Sequence, residues 1–396
     1  MLPLKLLLGR LIKEGTLTVT DAKGRVHAFG AAPGPAVAIR LHDARLPWRM
    51  LRKPELTVGE AYMDGTLTIE SGDILDFLNL VAINAKRATD NTSLRIGDSR
   101  LKHAWARANS ERRARRNVAH HYEFKTAFYD LFLDANRQYS CGYFRSPGDS
   151  LDQAQRNKLD HIAGKLLLQP HHRVLDIGCG WGTLARHLNA VSGARVVGIT
   201  LSEEQCRAAN EMAAAEGKSD VLDFRVEDYR KIAGPFDRIV SVGMFEHVGL
   251  HHYDTYFRRI NELLTPDGVA MVHTIGRSDG PGGTDDWTEK YIFPGGYSPA
   301  LSQVMPAVER SGLFISDIEV WRKHYGRTTE HWYRRFQQNR DRIREMYDER
   351  FCRMFEFFLA GCVGGFDHGG LVVYQMQFGK QADSVPLTRD YLYGRA

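Results

Sequence analysis

The chain has 396 residues, 43% of them hydrophobic and 26% charged, with a net charge of +5. That length and composition suit one large or two ordinary globular domains with a sizeable core, and the small net charge makes its distribution matter more than its sum. The five scattered cysteines (Cys141, Cys179, Cys206, Cys352 and Cys362) form no C-x-x-C pair and no Cys/His cluster with zinc spacing, which excludes a disulfide framework and gives no metal site.

The opening stretch, Met1 to Arg10, is apolar but broken by Lys5 and too short for a secretory core. No uninterrupted run is long enough to span a bilayer, so the chain reads as cytoplasmic. Up to about residue 90, Leu17 to Thr20 and Ala36 to Leu41 read as strands and Ile74 to Ala85 has helical spacing of Ile, Leu and Val. Residues 1–90 are therefore expected to form a small α+β module. A basic linker follows over 91–116. Between Arg95 and Arg116 it carries Arg95, Arg100, Lys102, Arg107, Arg112, Arg113, Arg115 and Arg116 against only Asp98 and Glu111. Such a run is either a solvated face or a surface drawn to anionic phospholipid headgroups, where each Lys or Arg contributes on the order of 1 kcal/mol. No base-reading motif lies nearby, so nucleic acid is not the expected partner.

From Asn117 strands and helices alternate. Strands are expected at Arg173 to Ile177, Arg195 to Thr200, Val221 to Val226, Arg238 to Val242 and Val269 to Ile275, with helices such as Leu184 to Val191 and Ser202 to Glu216 between them. Strand–helix repetition implies an α/β domain over 117–396, a parallel sheet with helices on both faces. The loop Gly178-Cys179-Gly180-Trp181-Gly182 follows a strand that carries Asp176 and opens a helix. Its G-x-G-x-G spacing is not the G-x-G-x-x-G of dinucleotide binders and favours S-adenosylmethionine, hence a Rossmann-like class I methyltransferase sheet. No acid ends the second strand, so Thr200, Leu201, Ser202 and Gln205 are the candidate cofactor contacts there, although Ser202-Glu203-Glu204-Gln205 also reads as a capping box. Glu227 and Asp228 after the next apolar run either hold the adenine amine or face solvent.

Ligands of open α/β sheets bind beyond the carboxyl ends of the strands. Glu246 follows one such strand and His273 sits late in the next. Taken alone His273 reads as a satisfied core histidine; with Glu246 at the adjacent strand end the two are expected to converge near the methyl group. Tyr139-Ser140-Cys141-Gly142 precedes the sheet and is expected to fold over the cofactor, while Cys141 alone reads as a small buried hydrophobe.

Gln138 to Cys141, Leu175 to Gly182, Thr200 to Gln205, Val240 to Gly249, His273 to Gly276, Lys290 to Gly296, and Tyr325 ahead of Thr328-Thr329 together resemble the cyclopropane-fatty-acid-phospholipid synthases. The resemblance covers Asn117 to Gly379, and Gly59-Glu60-Ala61-Tyr62-Met63-Asp64-Gly65 is similar to the full-length bacterial members, whereas the mycolic acid enzymes lack that module. It implies a cis double bond in a phospholipid acyl chain as the methyl acceptor and a bound bicarbonate as the base that removes a methyl proton before the ring closes. The ligands it implies for the bicarbonate are Cys141, Glu246, His273, the Ile275 backbone and Tyr325. It also implies a homodimer associated peripherally with the inner face of the cell membrane. Cys362 matches a late cysteine discussed for the family, although its apolar helical setting reads as a packed thiol. One departure stands out: members usually read His-Tyr-Asp and a polar turn, while this chain reads His121-Tyr122-Glu123-Phe124-Lys125-Thr126. Some relatives transfer the methyl without closing the ring, so a methyl-branched or methylated unsaturated product is the alternative outcome.

Overall fold

The computed structural model describes residues 1–31, 33–91 and 126–393. The basic run from Arg95 to Arg116 and the departure at Glu123-Phe124-Lys125 lie outside the described residues. The chain divides into two units, one of Met1–Ser99, Thr284–Pro294 and Gly326–Gly370, the other of Arg100–Gly283, Gly295–Tyr325 and Leu371–Ala396. This division differs from the linear one read from sequence, because two later segments join the N-terminal residues.

In the first unit, β1 (Gly15–Thr20), β2 (Val26–Ala31), β3 (Ala36–Leu41) and β4 (Leu67–Ser71) form a sheet in the order β2-β1-β3-β4. Leu17 and Val19 on β1 and Val37, Ile39 and Leu41 on β3 alternate inward, as the period of a strand requires. The helix expected over Ile74 to Ala85 runs Ile74–Asn91, burying Ile74, Phe77 and Leu80. The motif Gly59 to Gly65 explains why later segments belong here. Glu60 accepts from Lys290 Nζ at 2.7 Å and Tyr291 Oη at 3.0 Å, Tyr62 donates to the buried Glu356 at 3.0 Å, and Asp64 accepts from Arg350 at 2.9 Å. Gly59 has no Cβ because one would stand 2.3 Å from the Trp287 ring.

The second unit is built on a seven-stranded sheet. Its strands are β5 (Arg173–Ile177), β6 (Arg195–Thr200), β7 (Leu222–Val226), β8 (Phe236–Val242), β9 (Leu264–Arg277), β10 (Phe314–Trp321) and β11 (Leu371–Gly379), in the order β10-β11-β9-β8-β5-β6-β7. The strands from β9 to β7 are parallel, as expected. β11 runs antiparallel to both of its neighbours, β9 and β10, so the sheet is mixed; direction leaves no trace in an apolar run, and the sequence pattern could not supply it. Consecutive residues serve opposite faces. Val174, Val196, Val240 and Met271 pack under the helices Leu151–Leu166, Thr183–Ser192 and Glu203–Ala215. Leu175, Val197, Ile239, Ala270 and Val272 pack under Tyr253–Leu263 and Leu301–Ser311. Two filled layers hold the carboxyl ends of five parallel strands along one edge.

Gly182 caps the helix that leaves β5, at φ +77°, and a Cβ there would come within 2.7 Å of the Phe224 ring. Gly182→Ala is expected to cost about 1–3 kcal/mol through backbone strain and crowding, read as a lower urea midpoint with an unchanged m-value.

Candidate active site

A pocket opens at the carboxyl ends of β5, β6, β7 and β8. Asp176, at the end of β5, pairs with Gly198 on β6 and Val240 on β8. It is buried, its Oδ2 has no hydrogen-bond partner among the described residues, and burial pushes its carboxyl up to about 7. The glycine loop is anchored by the N–H groups of Gly178 and Cys179, which donate to Ile199 O at 2.9 and 3.0 Å. Gly178 lies at φ +84°, where a Cβ would also stand 2.9 Å from Met244 Cβ. The loop therefore passes close to the pocket with its backbone turned outward.

The structure brings most of the expected cofactor residues to this pocket. Tyr139, Ser140, Asp176, Gly178, Cys179, Gly180 and Trp181 line it from the loop side, and Thr200, Leu201, Gln205, Glu227 and Asp228 from the ends of β6 and β7. Two expected residues do not line it. Gly182 is turned into the Phe224 and Ala209 side chains. Ser202 caps the helix Glu203–Ala215, accepting from Gln205 N at 3.3 Å. The capping box is half formed, because the Gln205 side chain meets Thr200 Oγ1 at 3.1 Å instead of returning to Ser202 N. Asp228 is buried, not solvent-facing. Burial would raise its carboxyl, yet the Arg230 guanidinium, at 2.5 and 2.8 Å, holds it below the usual range.

Beyond this pocket, β8 and β9 carry the second set. Gly243 N donates to His273 O at 2.9 Å, so the chain leaving β8 is pinned to β9 beside the histidine. Phe245 then anchors a short turn, stacked 4.4 Å from Tyr253, and Glu246 emerges from it. One Glu246 oxygen accepts from Ile275 N at 2.6 Å; the other is buried without a partner among the described residues. Burial pushes this carboxyl up to about 7, against the Ile275 and Glu246 amides and the Thr274 hydroxyl, which pull it down. His273 is 2% exposed, and burial with the nearby Lys158 and Lys165 charges holds it well below the usual histidine range, so it is neutral. Its Nδ1 faces the Gln375 amide nitrogen at 3.0 Å. With the amide assigned in that orientation, Nδ1 accepts and the proton sits on Nε2, which is left to donate.

Cys141 is buried, with its Sγ donating to Gly142 O at 3.3 Å. Tyr325 is half-buried in the first turn of the helix His324–Gln338. Its neighbour His324 accepts from Phe144 N at 3.1 Å, and Trp321 stands edge-on to His273 at 5.2 Å while stacking on Tyr143 at 4.7 Å. One aromatic cluster thus ties the segments that carry Cys141, His273 and Tyr325. Of the Ile275 backbone, expected to hold an anion, the N–H donates to Glu246. Cys362 belongs to the other unit, on the helix Glu349–Asp367, and burial pushes its thiol up to about 12, toward the protonated form.

Sequence reading missed Lys158 and Gln375. Lys158 has no acid three or four residues away on its helix, and Gln375 interrupts an apolar strand two residues from Gln377; both are polar residues without a local reason.

The family model described as mycolic acid cyclopropane synthetase matches residues 109–376. The chain belongs to that family. Its sheet and family make it an S-adenosylmethionine-dependent methyltransferase. A separate domain family of unknown function matches residues 4–93. The cyclopropane-fatty-acyl-phospholipid synthase of Escherichia coli K12 is 36% identical over 90% of each chain. A Pseudomonas putida protein named "Probable fatty acid methyltransferase" is 34% identical over 92% of this chain and 93% of its own. Among solved structures, the cyclopropane synthase MmaA2 from Mycobacterium tuberculosis superposes with a TM-score of 0.64 at 30% identity, covering 67% of this chain and 98% of that one. The mycolic acid cyclopropane synthase CmaA1, solved with SAH and CTAB, matches to the same extent.

Because the folded pKa of Glu246 lies above its ordinary value of 4.5, its contribution to stability is full below pH 4.5 and is lost as pH rises through about 7. Glu246→Gln removes that loss. The stability of the variant relative to the parent is expected to rise by roughly 2–4 kcal/mol between pH 4.5 and 7.5, measured by urea unfolding across that range; a constant difference would refute the buried, raised carboxyl.

Proposed function

We propose that this enzyme transfers a methylene from S-adenosylmethionine to the cis double bond of unsaturated phospholipid acyl chains, forming cyclopropane fatty acids, with bicarbonate as the base. The observation that carries this reading is the buried pair Glu246 and His273 on neighbouring strand ends. One Glu246 oxygen and the His273 Nε2–H are left to bind an oxyanion that both donates and accepts. Cys141, Tyr325 and the Ile275 amide complete the proposed ligand set, and the amide joins it by exchanging its Glu246 bond. Bicarbonate, when bound, supplies the base for a methyl proton, and S-adenosylmethionine supplies the electrophilic methyl. The residues of the chain do the remainder. Neutral His273 donates without competing for the proton. Glu246, poised near neutrality, fixes the anion through its unpartnered oxygen. The aromatic cluster of Trp321, Tyr143 and His324 beside His273 offers an apolar wall to the positive charge that develops on the acyl chain.

Methyl transfer without ring closure is the second reading, favoured by the name of the Pseudomonas putida relative. Vesicles of monounsaturated phospholipid, given enzyme and S-adenosylmethionine, are expected to gain one methylene mass per acyl chain and lose the alkene. A product of that mass with its alkene intact would support the second reading. Glu246→Gln is expected to lower turnover about 10²–10³-fold, and full activity in this variant would refute the anion site.

The same proposal places the enzyme, as a homodimer, at the inner face of the cell membrane, against anionic lipid. In the first unit, Leu2, Leu6 and Trp48 are 72%, 62% and 60% exposed. Their helices, Leu2–Leu11 and Leu46–Arg52, carry Lys5, Arg10, Arg49 and Arg52 and no acid. Exposed apolar side chains among basic ones favour an interfacial position on such a surface. Flotation with vesicles of saturated anionic lipid is expected to retain the parent chain and to lose most of a Leu6→Glu, Trp48→Glu variant; equal flotation would refute this surface.

A further inference from the structure

The helix Leu151–Leu166 buries a lysine whose ammonium meets only neutral oxygens at hydrogen-bond distance. Lys158 is 3% exposed and lines the cofactor pocket with Ser140, Asp176 and Gly178. Its Nζ donates to Ser140 Oγ at 2.8 Å and to Gln155 Oε1 at 2.7 Å, both neutral oxygens. Gln155 in turn donates to Ser140 O at 2.9 Å, so the ammonium is held in one place by a rigid triangle. The two guanidinium groups at the pocket are paired, Arg137 with Asp130 and Arg230 with Asp228. Lys158 has no ion pair among the described residues. Asp134 lies near enough to be felt, but its oxygens accept from Gln138 N at 2.8 Å, Gln138 Nε2 at 3.1 Å and Asn136 N at 3.0 Å. Burial draws the lysine down to about 8, which leaves it charged at neutral pH. An ammonium has three N–H groups, and two are used. A buried, immobilised charge with a donor to spare is costly unless an anion joins it.

We propose that Lys158 is an anion-binding residue of the pocket, whose remaining N–H and charge receive a carboxylate-type anion. Two sources share that chemistry: the α-carboxylate of the methyl donor, which rests on the family's cofactor, and bicarbonate, which rests on the function proposed above.

The test uses the full chain and the Lys158→Met variant with three probes. S-adenosylhomocysteine carries the carboxylate; 5′-methylthioadenosine has the same nucleoside without the amino acid; sodium bicarbonate, against sodium chloride, supplies the small anion. If the donor's carboxylate is the partner, calorimetry of Lys158→Met shows S-adenosylhomocysteine weakened at least ten-fold and methylthioadenosine changed less than two-fold, with Lys158→Arg recovering most of the loss. If bicarbonate is the partner, S-adenosylhomocysteine affinity is unchanged and the bicarbonate-induced rise in melting temperature of the parent disappears in the variant. Either result supports the site and identifies the anion. Equal weakening of both nucleosides would overturn it in favour of a structural role on Ser140, and so would unchanged affinity together with an unchanged bicarbonate response. None of these readouts needs the alkene, so failure here is separate from failure of the proposed reaction. Unliganded Lys158→Met is expected to melt no lower than the parent; should it not fold, Lys158→Gln carries the same comparison.

Discussion

Parallel hydrogen bonding among β5, β8 and β9 sets Asp176 opposite Val240 and Val242 opposite His273, so three adjacent strands deliver polar residues to one edge of the sheet. Everything chemical in the unit follows from that register. A slip of one residue would turn Asp176 and His273 to the other face and put Leu175 or Val272 in their places. The helix layers pack both faces of the sheet up to that edge, and the groups gathered there respond alike. Asp176 and Glu246 are pushed up, Lys158 and His273 are pulled down, each toward its neutral form, because burial has removed the water that would favour charge. A dry edge of this kind magnifies any charge brought into it, whether a sulfonium, an oxyanion or a cation on an acyl chain.

Three of the buried unpartnered oxygens lie in the same region. Asp176 Oδ2, Glu246 Oε2 and Gln375 Oε1 are buried without partners among the described residues, although buried polar groups are nearly always paired. Polar groups left open at this end of the core are a cost to the fold that a bound ligand offsets.

Much of this was legible in the chain. β3, β5 and β6 begin and end where their apolar runs do, and the glycine loop announced its pocket because strand, acid, glycines and helix start are local in sequence. Glu246 and His273 were legible because strand ends converge in a parallel sheet. Direction was not: β10 and β11 run antiparallel, and the excursion Gly326–Gly370 between them belongs to the other unit. The role of Gly59 to Gly65 was likewise hidden, since its partners Lys290, Tyr291, Arg350 and Glu356 lie more than two hundred residues away. Lys158 was passed over in the sequence because burial, not pattern, makes it unusual.

The central claim is that the transferred methyl surrenders one hydrogen to the anion site beside Glu246 and His273. Supplying S-adenosylmethionine with a fully deuterated methyl group to the enzyme on monounsaturated phospholipid vesicles tests it directly, by mass spectrometry and proton NMR of the acyl chains. The account predicts that two of the three deuteriums are retained and that the alkene protons disappear. Retention of all three would show that no proton leaves the methyl and would contradict it.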